Sequence, residues 1–395
     1  METLSYTSQE SMASSSRWLV VAILGLMGVG IAMVASASTV QEFERGAHLV
    51  MLRSHLLKVG VALAALVLAS RIRPRRLYLS AVPAWLLAIA LLVLVLITGV
   101  TVKGAQRWLD LGVTNFQPSE FARVAVVLVI GAWAALKKNS METIRTGVVI
   151  PFALAGIPAV LVLLEPDFGS TVYLLFMGVL VMWVGGARPK HLVISFLAAV
   201  GTSLLYGWEQ FAHVSRRFSS FSEPEVGSQV WQSLTALGRG GWTGVGLGAG
   251  LGKWGYVPEA ENDFILSVVG EELGLLGVLG LVALYGLLLW HGVRLLLGMR
   301  TRFAVVVGAG LLFQVAVQAL LNMAVVTAVA PPKGLPLPFV SAGGTSLLML
   351  SISLGLFLGL ARWPEEDPVP GAHTSSGSSQ SVPGRARRDS QGVIK

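Results

Sequence analysis

The chain has no cysteine. Disulfide staples, thiol nucleophiles and cysteine-ligated metal centres are therefore excluded. Its six histidines are scattered, with no HxxxH pair, so no zinc-binding helix motif is present. Charge is also scarce. Asp, Glu, Lys and Arg make up 13% of the 395 residues, where a soluble domain carries about 25%. With 54% hydrophobic residues gathered in long runs, that scarcity places the chain in the membrane class. A net charge of +8 would admit nucleic acid as a partner. The basic residues sit between hydrophobic runs, however, and topology accounts for them; no nucleic acid is expected.

Crossing the hydrocarbon core takes about 20 apolar residues in a helix. Runs of that kind lie near 18–38, 54–71, 77–101, 119–136, 147–164, 168–186, 191–208, 265–290, 303–326 and 339–361. The expected fold is an all-α polytopic membrane protein of about ten transmembrane helices, with a large extracytoplasmic loop, 209–264, between helices 7 and 8. The first run is too long, and too poorly followed by a cleavage site, for a removed signal peptide. Arg71, Arg73, Arg75, Arg76, then Lys137, Lys138, Arg145, then Arg188, Lys190, then Arg294, Arg300, Arg302 and finally Arg362 fall in alternate connections. The positive-inside rule makes those connections cytoplasmic, and both termini with them. Arg53 and Lys58, at the outer start of the second span, mildly oppose the rule. Residues 1–16 and 363–395 are rich in Ser, Thr, Pro, Gly and charge, a composition expected of disordered cytoplasmic tails. The membrane domain is then 17–362. The basic group Arg385, Arg387 and Arg388 reads as a solvated tail, or as a contact for anionic lipid or a cytoplasmic partner.

Nearly all the polar residues of interest lie outside, in 39–53, 102–118, 209–264, 327–338 and the EPDFG turn at 165–169. The glycine-dense stretch LGRGGWTGVGLGAGLGKWG in the large loop has no strand before it, which excludes a dinucleotide fingerprint. It is either a packed surface loop or a re-entrant or amphipathic segment lining a groove. Asp263 stands where the eighth apolar run begins. A carboxylate at that depth is partly desolvated, which suits a general base; an N-terminal helix cap is the plainer use of Asp there. Glu271 and Glu272 lie two turns deeper, where ionisable groups need a polar interior or a partner: a structural network or a proton path. Gln314, Gln318 and Asn322 repeat at i, i+4 and i+8 and form one polar stripe, expected to hydrogen-bond between helices. Glu120 and Arg123 can pair on one face of the fourth span. Lys333, in a turn with four prolines, and Arg107 can each meet a diphosphate as a cation or simply be solvated.

Five segments in order, GAQRWLDLG at 104–112, QPSEFARV at 117–124, EPDFGS at 165–170, VPEAENDFILSVVGEELG at 257–274 and LLNMAVVTAVAPPKGLPLPFVSAGGTSLL at 320–348, resemble the SEDS family of cell-wall polymerases over residues 18–361. The PKGLPLPFVS segment resembles the division branch of that family (FtsW-like) more than the elongation branch (RodA-like); the sporulation branch is close. There are departures. The usual QPD reads Glu165-Pro166-Asp167, the usual SYGG reads Ser341-Ala342-Gly343-Gly344, and the usual HTDF reads Glu261-Asn262-Asp263-Phe264.

The resemblance implies a peptidoglycan glycosyltransferase of the inner membrane and division septum that joins lipid II units into undecaprenyl-linked glycan. The chemistry needs a base, positive charge for the departing diphosphate and a groove that aligns two lipid-linked sugars. On this basis Asp263 is the catalytic base. Lys333, Arg107 and Lys103 are the leading diphosphate candidates, Arg216, Arg217 and Lys253 stand behind them, and Glu271 and Ser341 join the substrate-binding set. No metal-ligand set is visible, although a divalent cation such as Mg or Mn suits diphosphate oxygens. The implied partners are a class B penicillin-binding protein docked on the eighth and ninth helices, with its pedestal near the large loop, and other division proteins. A lipid II flippase and a non-catalytic division scaffold are the alternative readings.

Overall fold

The computed structural model describes residues 2–44, 50–102, 105–110, 112, 115–210, 227–251, 260–331, 334–364 and 366–369. Its helices are α1 (Glu2–Glu44), α2 (Val50–Ala69), α3 (Pro74–Thr98), α4 (Pro118–Leu136), α5 (Ile150–Leu164, entered through a π-helical turn Arg145–Val149), α6 (Phe168–Val184), α7 (Pro189–Gln210), α8 (Gln229–Gly240), α9 (Ile265–Leu297), α10 (Arg302–Val326) and α11 (Gly344–Arg362). Among the described residues eight helices are long and apolar enough to cross a membrane, and α6 and α7 are shorter apolar helices. All ten expected spans are accounted for, and the chain is a multi-pass membrane protein.

Helix starts follow local chemistry. Proline opens α3, α4 and α7, where its missing N–H costs nothing. Asp167 caps α6 by accepting from the Ser170 N–H at 3.1 Å, and Thr301 caps α10 through Ala304 at 3.3 Å. The enclosed centre of the bundle is α4, α10 and α11. Most of their residues are buried, whereas α2 and α3 turn leucine and valine outward along their length. Those outward faces meet lipid, which attracts apolar side chains as well as a core does.

Four features depart from the sequence expectation. The third span ends at Thr98, and the outer segment after it forms an antiparallel sheet of β1 (Val100–Val102), β2 (Ala105–Asp110) and β3 (Asn115–Phe116). Strand β1 follows the apolar run without a polar break, so composition hid it. Helix α1 takes in residues 2–16, expected as a tail; no Pro or Gly interrupts that stretch. The last span starts at Gly344 rather than near 339, because Phe339 adopts φ +64° and the Val340 and Ser341 N–H groups both turn back to the Leu337 carbonyl. The C-terminal tail from residue 370 lies outside the described residues.

The fourth departure shapes the outer face. Helix α9 is broken at Gly274 (φ 67°, ψ −166°), a conformation open to glycine and strained for other residues. The glycine-rich segment after α8 fills the break. Val245 and Gly246 donate their N–H groups to the Glu271 and Glu272 carbonyls at 3.0 Å each. Leu275 and Leu276 donate to the carbonyls of Gly241 and Trp242 at 2.9 and 3.1 Å. Irregular backbone at membrane depth survives only when protein supplies such partners. Over 227–251 the loop is packed: α8 buries Val230, Ser233, Ala236 and Gly240 on one face, and the glycines beyond it are wedged into α9.

Candidate functional site

Asp263 sits in the turn just before α9, partly exposed. The N-cap position of α9 is Phe264, so capping is not the use made of Asp263. The turn is tied to the outer segment 334–342 by several hydrogen bonds. The Asn322 side-chain amide of α10 donates to the Asp263 carbonyl and to the Leu335 carbonyl, each at 2.8 Å. The Ser341 hydroxyl donates to the Asn262 carbonyl at 2.6 Å and accepts the Leu337 N–H at 2.8 Å. The Ala342 N–H reaches the Glu261 carbonyl at 3.0 Å. Gln318, one turn below Asn322, donates to the Pro336 carbonyl at 2.8 Å and to the Ser346 hydroxyl at 3.0 Å. Tyr285 closes the set by donating to the Pro338 carbonyl at 2.5 Å.

Two consequences follow. The polar stripe of α10 links to α11 as expected, through Gln318–Ser346 and through Ser353 donating to Gln314 at 3.5 Å. Its outer two members also clamp the proline-rich segment to the Asp263 turn. A proline-rich chain offers few N–H donors, so side-chain amides reading its carbonyls are the economical way to hold it. Gly334 comes close to the carboxylate: a Cβ there would lie 3.1 Å from Asp263 Oδ2. Its chain neighbour Lys333 lies outside the described residues.

Glu271 and Glu272 are fully buried, and both are engaged with the loop. Glu272 accepts the Ser36 hydroxyl of α1 at 2.7 Å on either oxygen and the Gly248 N–H at 3.0 Å. Glu271 accepts the Leu251 N–H at 3.1 Å, with the Arg239 guanidinium 3.9 Å away. These contacts match the structural-network reading of the pair.

A second polar cluster forms where β2 meets the α5–α6 turn. Arg107 donates to the Glu165 carbonyl at 3.3 Å and to the Pro166 carbonyl, and lies 3.8 Å from Asp167. Glu165 is fully buried, and neither carboxyl oxygen has a hydrogen-bond partner among the described residues. Burial pushes its carboxyl up to about 9; Asp167 adds to the rise and Arg107 opposes it. Glu165 is therefore a neutral acid at pH 7. Below it, Arg123 pairs with Glu120 at 2.9 Å as its spacing predicts, donates to Ser170 at 3.1 Å and lies over the Tyr173 ring.

Of the candidates named from sequence, the structure brings Asp263 and Ser341 together, seats Glu271 beneath the loop and places Arg107 on the α5–α6 turn. Lys103, Arg216, Arg217, Lys253 and Lys333 lie outside the described residues. Sequence reasoning did not assign the roles of Asn322 and Gln318 at the Asp263 turn. The available signal was that the stripe ends level with the outer turn.

The chain matches the family model described as "Cell cycle protein", which groups FtsW, RodA and SpoVE, over residues 17–365. It is 35% identical to a "Probable peptidoglycan glycosyltransferase FtsW" of Alkalilimnicola ehrlichii, covering 89% of this chain and 91% of that one. It is 31% identical to "Stage V sporulation protein E" of Bacillus subtilis, over 87% of this chain and 96% of the other. Two solved structures share the fold at 27% identity and 88% coverage of this chain. One is a peptidoglycan synthase complex described as coordinating polymerization and crosslinking (TM-score 0.74, 98% of that chain). The other is the rod shape determining protein RodA of Thermus thermophilus (TM-score 0.66, 97% of that chain).

Proposed function

The chain belongs to the cell cycle protein family of FtsW, RodA and SpoVE, and we infer from its FtsW-named relatives that it is a peptidoglycan glycosyltransferase of cell division. In this reading it polymerises lipid II at the outer face of the inner membrane, with both termini cytoplasmic and the septum as its place of work. The observation that carries the site assignment is the Asp263 turn, a carboxylate at the mouth of α9 whose backbone is fixed from α10 and from the segment before α11.

Asp263 takes the proton from the 4-hydroxyl of the incoming GlcNAc as that oxygen attacks the anomeric carbon of the growing strand. Undecaprenyl diphosphate departs with the bonding pair. Positioned proton transfer of this kind contributes about 10²–10⁴-fold. Lys333, next to Gly334 in sequence, is the leading cation for the leaving group, with Lys103, Arg216, Arg217 and Lys253 as further candidates. Arg107 is spoken for by the α5–α6 turn, so its contribution is to hold that turn in place. Among the described residues no three His, Cys, Asp or Glu side chains converge as a metal cage. A divalent cation such as Mg or Mn would enter as a companion of the diphosphate, whose oxygens are hard ligands, and no step depends on it. A crosslinking transpeptidase of the class B penicillin-binding type is the partner that the related synthase complex supports. Its proposed seat is the outward face of α9 and α10, where Leu276, Leu279, Val282 and Leu320 are exposed; recruitment of other division proteins belongs to the same reading.

The test is glycan polymerisation from labelled lipid II with the cognate transpeptidase present, comparing wild type with Asp263→Asn. A folded but inactive variant beside an active wild type supports the assignment. Equal activity would remove Asp263 from the chemistry. A well-folded complex inactive in both forms would favour translocation of lipid II or a scaffold role.

A further inference from the structure

Helix α9 is 33 residues long. About 20 residues cross the hydrocarbon core, so part of α9 stands outside the bilayer. Two helices show which part. At one end of the bundle Trp18 is exposed beside Arg17 on α1, and Trp290 is exposed on α9 with the Arg294 guanidinium 4.9 Å over its ring. Tryptophan beside a basic residue marks a membrane boundary. The two helices meet there through Trp18 and His291, whose rings stack 6.2 Å apart. Counting about 20 residues from Arg17 along α1 reaches Ser36, and about 20 back from Arg294 along α9 reaches Gly274. The Ser36 hydroxyl donates to the Glu272 carboxylate at 2.7 Å, so both counts arrive at one level. The opposite boundary therefore passes the break in α9. Burial changes at the same place: every residue from Ile265 to Glu272 is buried, whereas Leu275, Leu276 and Leu279 are exposed.

The glycine-rich segment wedged into that break lies at this level, with α8 leading into it. Residues 227–251 hold a single charged residue, Arg239, where about a quarter of a soluble domain is charged. The outward side chains are instead large and apolar. On α8, Trp231, Leu234 and Gly238 follow at i, i+3 and i+7 and share one exposed face. Beyond it Trp242 is 72% and Leu247 64% exposed, and Val245 and Leu251 are nearly half exposed. The Trp242 carbonyl accepts the Leu276 N–H at 3.1 Å, so this patch continues the lipid-facing strip of α9. The other face of α8 is tied inward. The Ser233 hydroxyl donates to the Val326 carbonyl at 2.9 Å and lies 2.8 Å from the Ser267 hydroxyl.

We propose that α8 and the segment Gly241–Leu251 form an interfacial anchor resting on the outer leaflet, outer in the orientation proposed above. Trp231, Leu234, Trp242 and Leu247 sink about 5–10 Å into the boundary between headgroups and acyl chains. The partner is the apolar edge of the leaflet itself. With one charge in the anchor, attraction to anionic headgroups is not needed, and neutral phosphatidylcholine suffices. Apolar insertion fixes the height of α8, and Ser233 passes that height to the end of α10 and to Ser267, one turn on from Asp263.

The experiment reads depth from nitroxide labels on the full chain in phosphatidylcholine vesicles. The chain has no cysteine, so Leu234→Cys, Gly238→Cys, Trp242→Cys and Leu247→Cys each carry one label. A Cβ on Gly238 would meet nothing within 4 Å, so that variant probes the face without removing an apolar contact. Leu279→Cys is the lipid reference, and Glu142→Cys, before α5, is the aqueous one. Collisions with dissolved oxygen and with a water-soluble nickel chelate are measured separately. The anchor labels should meet oxygen more often, and the nickel chelate severalfold less often, than Glu142→Cys, at a depth shallower than Leu279→Cys. Collision rates like those of Glu142→Cys overturn the proposal. Shielding from both reagents overturns it too, because a protein surface then covers the face. Should Trp242→Cys fail to fold, Gly238→Cys and Leu247→Cys decide alone. The labels are read without substrate, so this result stands apart from that of the polymerisation assay.

Discussion

One side-chain amide, that of Asn322, donates to the backbone carbonyl of Asp263 and to that of Leu335, both at 2.8 Å. The proposed base is thereby fixed to a neighbouring helix and to the proline-rich segment by a residue that is itself buried. Removing the amide leaves two carbonyls without their donor, at about 1–3 kcal/mol for each that stays buried. Asn322→Ala should lower the Tm modestly and reduce polymerisation by more than the stability loss explains, since a base displaced by about 1 Å can cost about 10²-fold. Asn322→Gln, which keeps the donor on a longer arm, should recover part of the rate. Turnover and Tm measured on the same preparations check this; unchanged turnover in Asn322→Ala would remove the positioning role.

Glu165 makes stability depend on pH in a defined direction. Its carboxyl, ordinarily near 4.5, is raised to about 9 in the folded chain. Between those values the folded state holds a proton that the unfolded state has released, so stability falls as pH rises. The contribution is complete below about 4.5 and lost on approach to 9. Glu165→Gln cannot ionise. Its Tm should decline less than that of wild type between pH 5 and pH 9, with the gap widest at the alkaline end. Parallel Tm–pH curves for the two proteins would contradict a buried neutral acid at this position.

Glu272 ties α1 to the loop through Ser36 and the Gly248 N–H. Removing one partner of a buried charge is costlier than removing both. Ser36→Ala should therefore destabilise by about 1–3 kcal/mol as a buried carboxyl group loses a hydrogen-bond partner. Glu272→Gln retains an acceptor and should cost less than Glu272→Ala. Limited proteolysis near 240–251 reports the same order, with Glu272→Ala cut fastest. Equal cutting of all three would mean the loop is held by its backbone pairing alone.

The membrane helices were legible because apolar runs of the right length announce themselves whatever they pack against. Asp263 became a candidate from its place where such a run begins and from the family resemblance of its segment. The clamp on it was not. Asn322 lies 59 residues away in sequence and bonds to backbone carbonyls, which carry no side-chain complementarity to read. The sheet at Val100–Phe116 was missed because β1 continues an apolar run, and two- to six-residue strands leave little alternation. Lys58 registered only as a charge against the topology rule. That α11 begins beside it is a fact of packing between segments far apart in the chain.

The break at Gly274 gives the sharpest structural test. A Cβ there would lie 2.3 Å from the Gly244 nitrogen and 2.6 Å from the Trp242 carbonyl oxygen. With φ at 67°, a side chain is strained even before it collides, at about 1–3 kcal/mol. Gly274→Ala can respond in two ways. It can push the segment Gly241–Gly246 out of the break, or it can straighten α9 into a continuous helix. Either route separates the Val245 and Gly246 N–H groups from the Glu271 and Glu272 carbonyls and unseats the loop beneath which those carboxylates sit. The Tm should fall by more than for Asn322→Ala. Amide exchange should rise at Val245, Gly246, Leu275 and Leu276, the four N–H groups that bridge the break, while α4 and α10 stay protected. Faster exchange confined to those amides would show that the loop and the broken helix hold each other. Uniformly faster exchange would mean the break anchors the whole bundle, and unchanged exchange would mean that the two segments are held independently.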